Sequence, residues 1–302
     1  MKELITNVET APLQKIVIVG NGAVENGNEP LRRAIATFEG YDKHVGLDEK
    51  YKTSNPDLSS YLAAFSFVAR DTRYALLKFL SQNGTIESPE KEVIDFSVAG
   101  FNEFRNQIGK SFCAAQENRE ISLRDYSSVL RYLELENDEP FGVISTNWDE
   151  LLFENKLFSK HFIALHGRAT EPASLILPME STIDDTIVDL FLQNRAFPAD
   201  SKEMELINKA FRDRGVRQHH DYIHQIASRW LSNAKRIVLW GVAFNSYDAE
   251  LISLIPKDTR DRSLFILNPD TRARDIAGAL LAGNSKNRID YDPVRREQII
   301  KR

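Results

Sequence analysis

The sequence predicts an α/β fold built on a doubly wound parallel sheet, with a helical module inserted in it. Three observations carry that reading. Short apolar runs rich in β-branched residues recur along the chain, as in strands buried on both faces. Stretches with helical periodicity separate them, and alternation of this kind favours parallel strands. Most runs also end in a polar or glycine-bearing cluster: GNGAV from Gly20, STNWD from Ser145, LHGR from Leu165, GVAFNSYD from Gly241 and LNPD from Leu267. In open α/β sheets, ligands bind outside the carboxyl ends of the strands, so these clusters would line one Rossmann-like crevice.

The elements follow in order. Lys15 to Gly20, KIVIVG, is the first strand. It breaks into a polar loop running to Pro30, and LRRAIATF then reads as helix. Residues 40–135 show no clear buried strand. Leu58 to Leu80 and Asp95 to Gln116 are helix-period, and the second puts Phe101, Phe104, Ile108 and Phe112 on one face. Tyr126 to Leu135 continues the pattern. The block reads as a helical insertion, 40–135, within a single domain spanning 1–302.

The sheet resumes at Phe141 to Ile144, and Glu150 to Glu154 looks like the first turns of a helix. Phe162 to Leu165 is a third strand, and Ala173 to Leu177 reads as another. Ile183 to Arg214 is helical, with a break near Pro198. Ile223, Ile226, Ala227, Trp230 and Leu231 form one apolar helical face. Arg236 to Trp240 and Ser263 to Leu267 are strands separated by a helix at Ala249 to Ile255. A helix at Thr271 to Leu281 and a short strand near Arg288 to Tyr291 finish the fold.

Composition narrows the function. A hydrophobic share of 42% and a charged share of 27% over 302 residues suit a globular chain with a real core. The net charge of −5 offers no footprint for a nucleic-acid backbone, so no direct nucleic-acid binding is expected. The basic stretches at 209–217 and 295–302 are short and mixed, and read as solvated faces. The single cysteine, Cys113, excludes an internal disulfide and a zinc site of several thiolates. It reads as a core residue of a helical face. With no apolar run of ~18 residues and no signal-peptide core at the N-terminus, a cytoplasmic protein without membrane contact is expected.

The strand-end residues carry the chemistry. Gly20 and Gly22 follow a strand and precede a helix, where backbone can approach a diphosphate; a tight turn with no ligand is the alternative. The carboxamide of Asn147 suits a ribose hydroxyl or a water. Alternatively Thr146 or Asn147 caps the following helix, with Asp149 favouring its positive end. His166, at a strand end before a glycine, fits a general base or a structural histidine. His219, His220 and His224 lie in HHDYIH, but carboxylates at matching helical spacing are missing beyond Asp221, so no metal is expected.

Taken together, these motifs resemble the sirtuin-like NAD-binding family. The order is GxGA, a helical insertion, TNWD, LHG, GxxF…D, then a strand ending in asparagine, over about residues 15 to 291. The most specific pair is TNWD with the LHG histidine, which follows Asn147 by nineteen residues. TNWDELLFE is similar to the TNYDDLLE type of bacterial antiviral sirtuin-like enzymes, which hydrolyse NAD to nicotinamide and ADP-ribose. The resemblance implies that Gly20, Asn21, Gly22 and Ala23 form the loop that cradles the NAD diphosphate. It implies that Asn147, with Thr146 beside it, contacts the nicotinamide-ribose side, that Asp149 recognises the nicotinamide amide and that His166 is the catalytic histidine. Gly241 and Asn268 match positions at the phosphate and adenosine-ribose end.

Departures sharpen the expectation. Asn21 replaces the usual alanine, and Ala243 stands where a serine is usual. The four zinc cysteines of protein-deacylating sirtuins cannot exist here, which argues for hydrolysis of NAD itself and against deacylation. The expectation is an NAD glycohydrolase serving as a toxic effector of anti-phage defence, with NAD as substrate. The alternative is a catalytically silent module binding NAD or ADP-ribose as a sensor or assembly subunit. A Rossmann dehydrogenase would need an acidic residue closing a second strand about twenty residues after the loop, where this chain is helical. Because an unrestrained NADase kills its own cell, the resemblance implies gating by a homo-oligomer or by a regulatory partner such as a helicase or an Argonaute-like subunit.

Overall fold

The computed structural model describes residues 13–37, 89–136, 139–177, 214–244, 249–255, 262–268 and 289–291. Contacts divide the chain into two compact units. One holds Met1–Leu31, Gly109–Leu175 and His219–Arg302; the other holds Arg32–Ile108 and Ile176–Gln218. Of the block read as a helical insertion, residues 40–108 fall in the second unit and 109–135 in the first. Every candidate site residue named above belongs to the first unit.

That unit is built on a parallel sheet. Its strands are β1 (Lys15–Val19), β4 (Gly142–Ser145), β5 (Phe162–Ala164), β6 (Arg236–Trp240), β7 (Ser263–Leu267) and β8 (Ile289–Tyr291). They lie in the order β5-β4-β1-β6-β7-β8, and every neighbouring pair is parallel. Counted within the sheet this is 3-2-1-4-5-6, the doubly wound order. The chain moves outward from β1 to β4 and β5, then returns to the other side of β1 for β6 to β8. The topological switch point therefore falls between β1 and β6. The β-branched strand signal has a plain cause: Ile16, Val17, Ile18 and Val19 have no exposed surface, so both faces of β1 are covered.

Helices cover the sheet. In α3 (Ser127–Leu133), Val129 and Leu133 enter the core, and the helix touches β1, β6 and β7. The apolar face of α5 (Arg214–Asn233) buries Ile223, Ile226, Ala227, Trp230 and Leu231, as its periodicity predicts. The other described helices are α1 (Glu29–Thr37), α2 (Pro89–Glu117), a single turn α4 (Leu151–Glu154) and α6 (Ala249–Leu254). No described helix is long and apolar enough to cross a membrane.

Some elements differ from the sequence reading. Strand β4 runs one residue later than expected, so Ser145 belongs to it. Ala173 to Leu177 is not a strand: Pro172–Ser174 is a 3-10 turn, and Leu175, Ile176 and Leu177 are buried without a ladder partner. Between the glycine loop and α1 lie a 3-10 turn (Asn21–Ala23) and a two-residue strand β2 (Val24–Glu25), paired antiparallel with β3 (Ser122–Leu123). The loop therefore does not feed directly into the N-terminus of α1. Helix α2 begins at Pro89, six residues before the expected Asp95, with proline in a position that needs no amide donor. The helices read over 58–80, 183–213 and 271–281 lie outside the described residues.

The amino edge of the sheet is closed by cations. Lys15 Nζ donates to the Glu134 carbonyl and pairs with the Glu139 carboxylate, both at 2.5 Å. Arg236 donates to the Tyr132 carbonyl at 2.8 Å and pairs with the Glu134 carboxylate at 2.7 Å. Arg262 reaches the Leu231 and Ser232 carbonyls at 2.8 and 2.6 Å. These groups satisfy the ends of α3 and α5, where helix carbonyls lack intrahelical donors and the dipole favours positive charge.

Candidate active site

The carboxyl edge is different. Pairing aligns Ala164, Ser145, Val19, Trp240 and Leu267 in one row across five strands. The next residues, Leu165, Thr146, Gly20, Gly241 and Asn268, therefore leave the sheet together. At the usual spacing between strands this row spans ~19 Å. Asn147 and His166 follow one residue beyond it on neighbouring strands. The residues that open the five strand-end clusters thus share one edge, as the fold class requires.

The β4 loop carries unusual polar groups. Asn147 is 6% exposed, and neither its Nδ2 nor its Oδ1 has a hydrogen-bond partner. Asp149 is 4% exposed; its Oδ1 accepts the Leu151 N–H at 3.1 Å, and its Oδ2 has no partner. Trp148 Nε1 is likewise unpartnered, with its ring edge-on to Phe112. Buried polar groups are nearly always paired, so three consecutive exceptions need a cause. Burial pushes the Asp149 carboxyl up from 3.8 to about 6, with Glu150 adding to the rise. The N–H groups of Leu151 and of Asp149 itself oppose it, and Asn147 opposes it weakly without forming a hydrogen bond of normal geometry.

The capping alternative is resolved by these contacts. Asp149, not Thr146 or Asn147, accepts from the first turn of α4. Thr146 instead ties β4 to β1: its N–H and hydroxyl both donate to the Val19 carbonyl, at 3.0 and 3.2 Å. The Asn147 N–H donates to the Ser145 hydroxyl at 3.1 Å, which fixes its backbone and leaves its side chain unbonded.

At the switch point the two loops touch. The Gly20 N–H donates to the Trp240 carbonyl, the Gly22 N–H to Gly241 and the Ala23 N–H to Gly20, at 2.9 to 3.0 Å. A Cβ on Gly20 or Gly22 would stand 2.7 or 2.8 Å from the Gly241 oxygen. Close backbone packing thus already requires both glycines, and three amides of the loop bond within the protein. The Asn21 side chain donates to Asn28. Asn268, 6% exposed, donates from Nδ2 to the Val242 carbonyl at 2.7 Å and so pins the β6 loop to β7.

Gly241 has φ +69°, and a Cβ there would lie 2.1 Å from the Ala23 nitrogen. Gly241→Ala is expected to lower stability by ~2 kcal/mol, read by urea denaturation. A loss of only a few tenths of that would mean that the switch-point loops do not hold this contact.

The β5 loop brings in residues that the sequence reading did not single out. His166 is half-buried in the turn after β5. The next charged residue, Arg168, is 6% exposed and pairs with Glu150, itself 4% exposed. Glu150 Oε2 accepts from Arg168 Nε at 2.7 Å and also from its terminal nitrogen. Glu150 Oε1 accepts the Thr170 hydroxyl at 2.6 Å and the Thr170 N–H at 3.3 Å. The guanidinium lies 3.7 Å over the Phe153 ring. Both acidic and basic partners stand inside the strings TNWDE and LHGR, but a string does not say that they meet.

The other candidates contribute less. Cys113 is half-buried rather than in the core; burial and the nearby Glu150 and Glu117 push its thiol pKa up, away from nucleophilic use. The His220 and His224 rings lie 4.3 Å apart, tilted by 53°, and no group of three potential metal ligands occurs among the described residues. No family model matches the chain, and no curated protein or solved structure matches it either.

Proposed function

We propose that this protein is a sirtuin-like NAD glycohydrolase that converts NAD to nicotinamide and ADP-ribose. The observation that carries the reading is that the buried Asn147 amide and the buried Asp149 Oδ2 have no hydrogen-bond partner at the carboxyl edge of a doubly wound sheet. An edge that leaves an amide and a carboxylate oxygen unsatisfied is arranged for a polar ligand, because each such group otherwise costs about 1–3 kcal/mol. The motif resemblance supplies the identity of that ligand.

In this reading the bond from ribose C1′ to the pyridinium nitrogen breaks, and its electron pair leaves with nicotinamide. Water adds to C1′, and one proton is released. Asn147 has a donor and an acceptor for the ribose hydroxyls and the water. Asp149 accepts from the amide of the leaving nicotinamide. His166 orients a ribose hydroxyl or takes the proton. Toxicity would serve anti-phage defence, with restraint by self-association or by a helicase or Argonaute-like partner.

The second reading, a silent module binding NAD or ADP-ribose, draws support from Asn21 and Ala243, which stand where the resembled enzymes carry alanine and serine; the Asn21 side chain is tied to Asn28. Incubating the protein with NAD separates the readings by chromatography. Hydrolysis predicts nicotinamide and ADP-ribose in equal amounts, lost in His166→Ala. Tight binding of NAD without release, with its genomic neighbours added, would favour the silent module.

A further inference from the structure

We propose that the buried Glu150–Arg168 pair positions the site by clamping the β4 loop, which carries Asn147 and Asp149, to the β5 loop, which carries His166. Its consequence for turnover rests on the NAD-hydrolase reading; the clamp itself does not. Three ties join the two loops, and a fourth holds the β5 loop to α4. They are the Arg168–Glu150 pair, the Thr170 bonds to Glu150, the Ala169 N–H to the Trp148 carbonyl at 2.8 Å, and the guanidinium over Phe153. Two further bonds fix the ends of the clamp. The Glu150 N–H donates to Gln116 Oε1 on α2 at 3.1 Å, and the Arg168 N–H donates to the Ser174 hydroxyl at 3.0 Å.

Stability alone does not account for such a pair. Two charges taken out of water recover their desolvation cost only with good geometry, and apolar residues of the same volume often serve as well. What the pair supplies is definition. Arg168 presents a rigid planar fork, and each Glu150 oxygen is engaged by at least two donors, so neither side chain has another place to sit. Because both Glu150 oxygens are engaged, the residue is not free to act as a base. It adjoins Asp149 in sequence, and Arg168 lies two residues from His166. A shift of either loop would move one half of the candidate site against the other, and displacement of about 1 Å at a reacting centre can cost ~100-fold in rate.

Hydrogen exchange and kinetics on the full chain test this. Arg168→Met leaves Glu150 buried without its partner, so the neutral double variant Glu150→Gln/Arg168→Met is made beside it. The positioning role predicts about tenfold faster amide exchange over 146–151 and 165–170 in the double variant, with protection of β1 and β6 unchanged. It also predicts kcat for NAD ~100-fold lower with KM within ~3-fold of wild type. A merely structural pair would instead lower the melting temperature and protection throughout, with kcat per folded molecule unchanged. That outcome, or wild-type exchange in both loops, would overturn the proposal. If the wild-type protein releases no nicotinamide even with its genomic neighbours added, the hydrolase reading fails, and the exchange experiment still decides whether the pair holds the loops.

Discussion

Asn147→Ala should lose at least ~100-fold in nicotinamide release from NAD while unfolding no more easily than wild type. The two halves of this expectation come from one observation. The Asn147 side chain is buried, yet neither end of its amide is bonded within the protein. A group that makes no internal bond has little to lose when it is removed. Truncation to alanine takes away an unsatisfied donor and an unsatisfied acceptor, whose burial costs about 1–3 kcal/mol each, and this offsets the lost packing. Calorimetry alongside the chromatographic assay reads both quantities. A structural asparagine would behave in the opposite way, with its removal lowering stability by ~2 kcal/mol or more and leaving turnover per folded molecule intact. Such a result would remove Asn147 from the site.

The second large effect concerns Asp149. Its carboxyl binds a proton more tightly in the folded chain, at about 6 against 3.8. Between those pH values the folded state holds a proton that the unfolded state has released. The contribution to stability is therefore full below pH ~4 and is lost as pH rises through 6, a change of ~3 kcal/mol. Asp149→Asn keeps the shape and cannot ionise. Relative to wild type, it should gain up to ~3 kcal/mol at pH 8 and little at pH 4, read by urea unfolding at both values. A difference that does not vary with pH would show that burial does not disfavour this charge. In turnover the same variant should weaken the grip on the nicotinamide amide. If the ionised carboxylate is the form that grips, wild-type activity should rise as pH passes 6.

The fold was largely legible because parallel strands buried on both faces must be continuous apolar runs, and β1, β6 and β7 are such runs. The same rule misread residues 173–177. An apolar run records burial, and Leu175 to Leu177 are indeed buried, but burial does not specify a ladder partner. Pro172 and the tight turn at Gly167 shape that segment instead; Gly167 has φ +81° and lies against the Ser174 carbonyl. The β2–β3 pair is two residues long on each side, too short for any period to show. At the site, strand ends brought Gly20, Thr146, Gly241 and Asn268 to one edge, as the topology dictates. The Glu150–Arg168 contact was not legible, since pairing across two loops depends on how each turn is aimed.

The strand order also sets a timetable. β1 is made first, yet its two neighbours are β4 and β6, and β6 lies beyond residue 235. A growing chain that has emerged only to the end of β5 can pair β1 on one side, leaving its other edge open. It also lacks the Gly241 and Asn268 end of the row. Pairings this distant in sequence close late, after a large loop entropy has been overcome. Any chemistry that needs the whole edge is thereby withheld until β7 and Asn268 have been made. A ribosome-bound fragment ending before β6 would carry Asn147, Asp149 and His166 and still be inert.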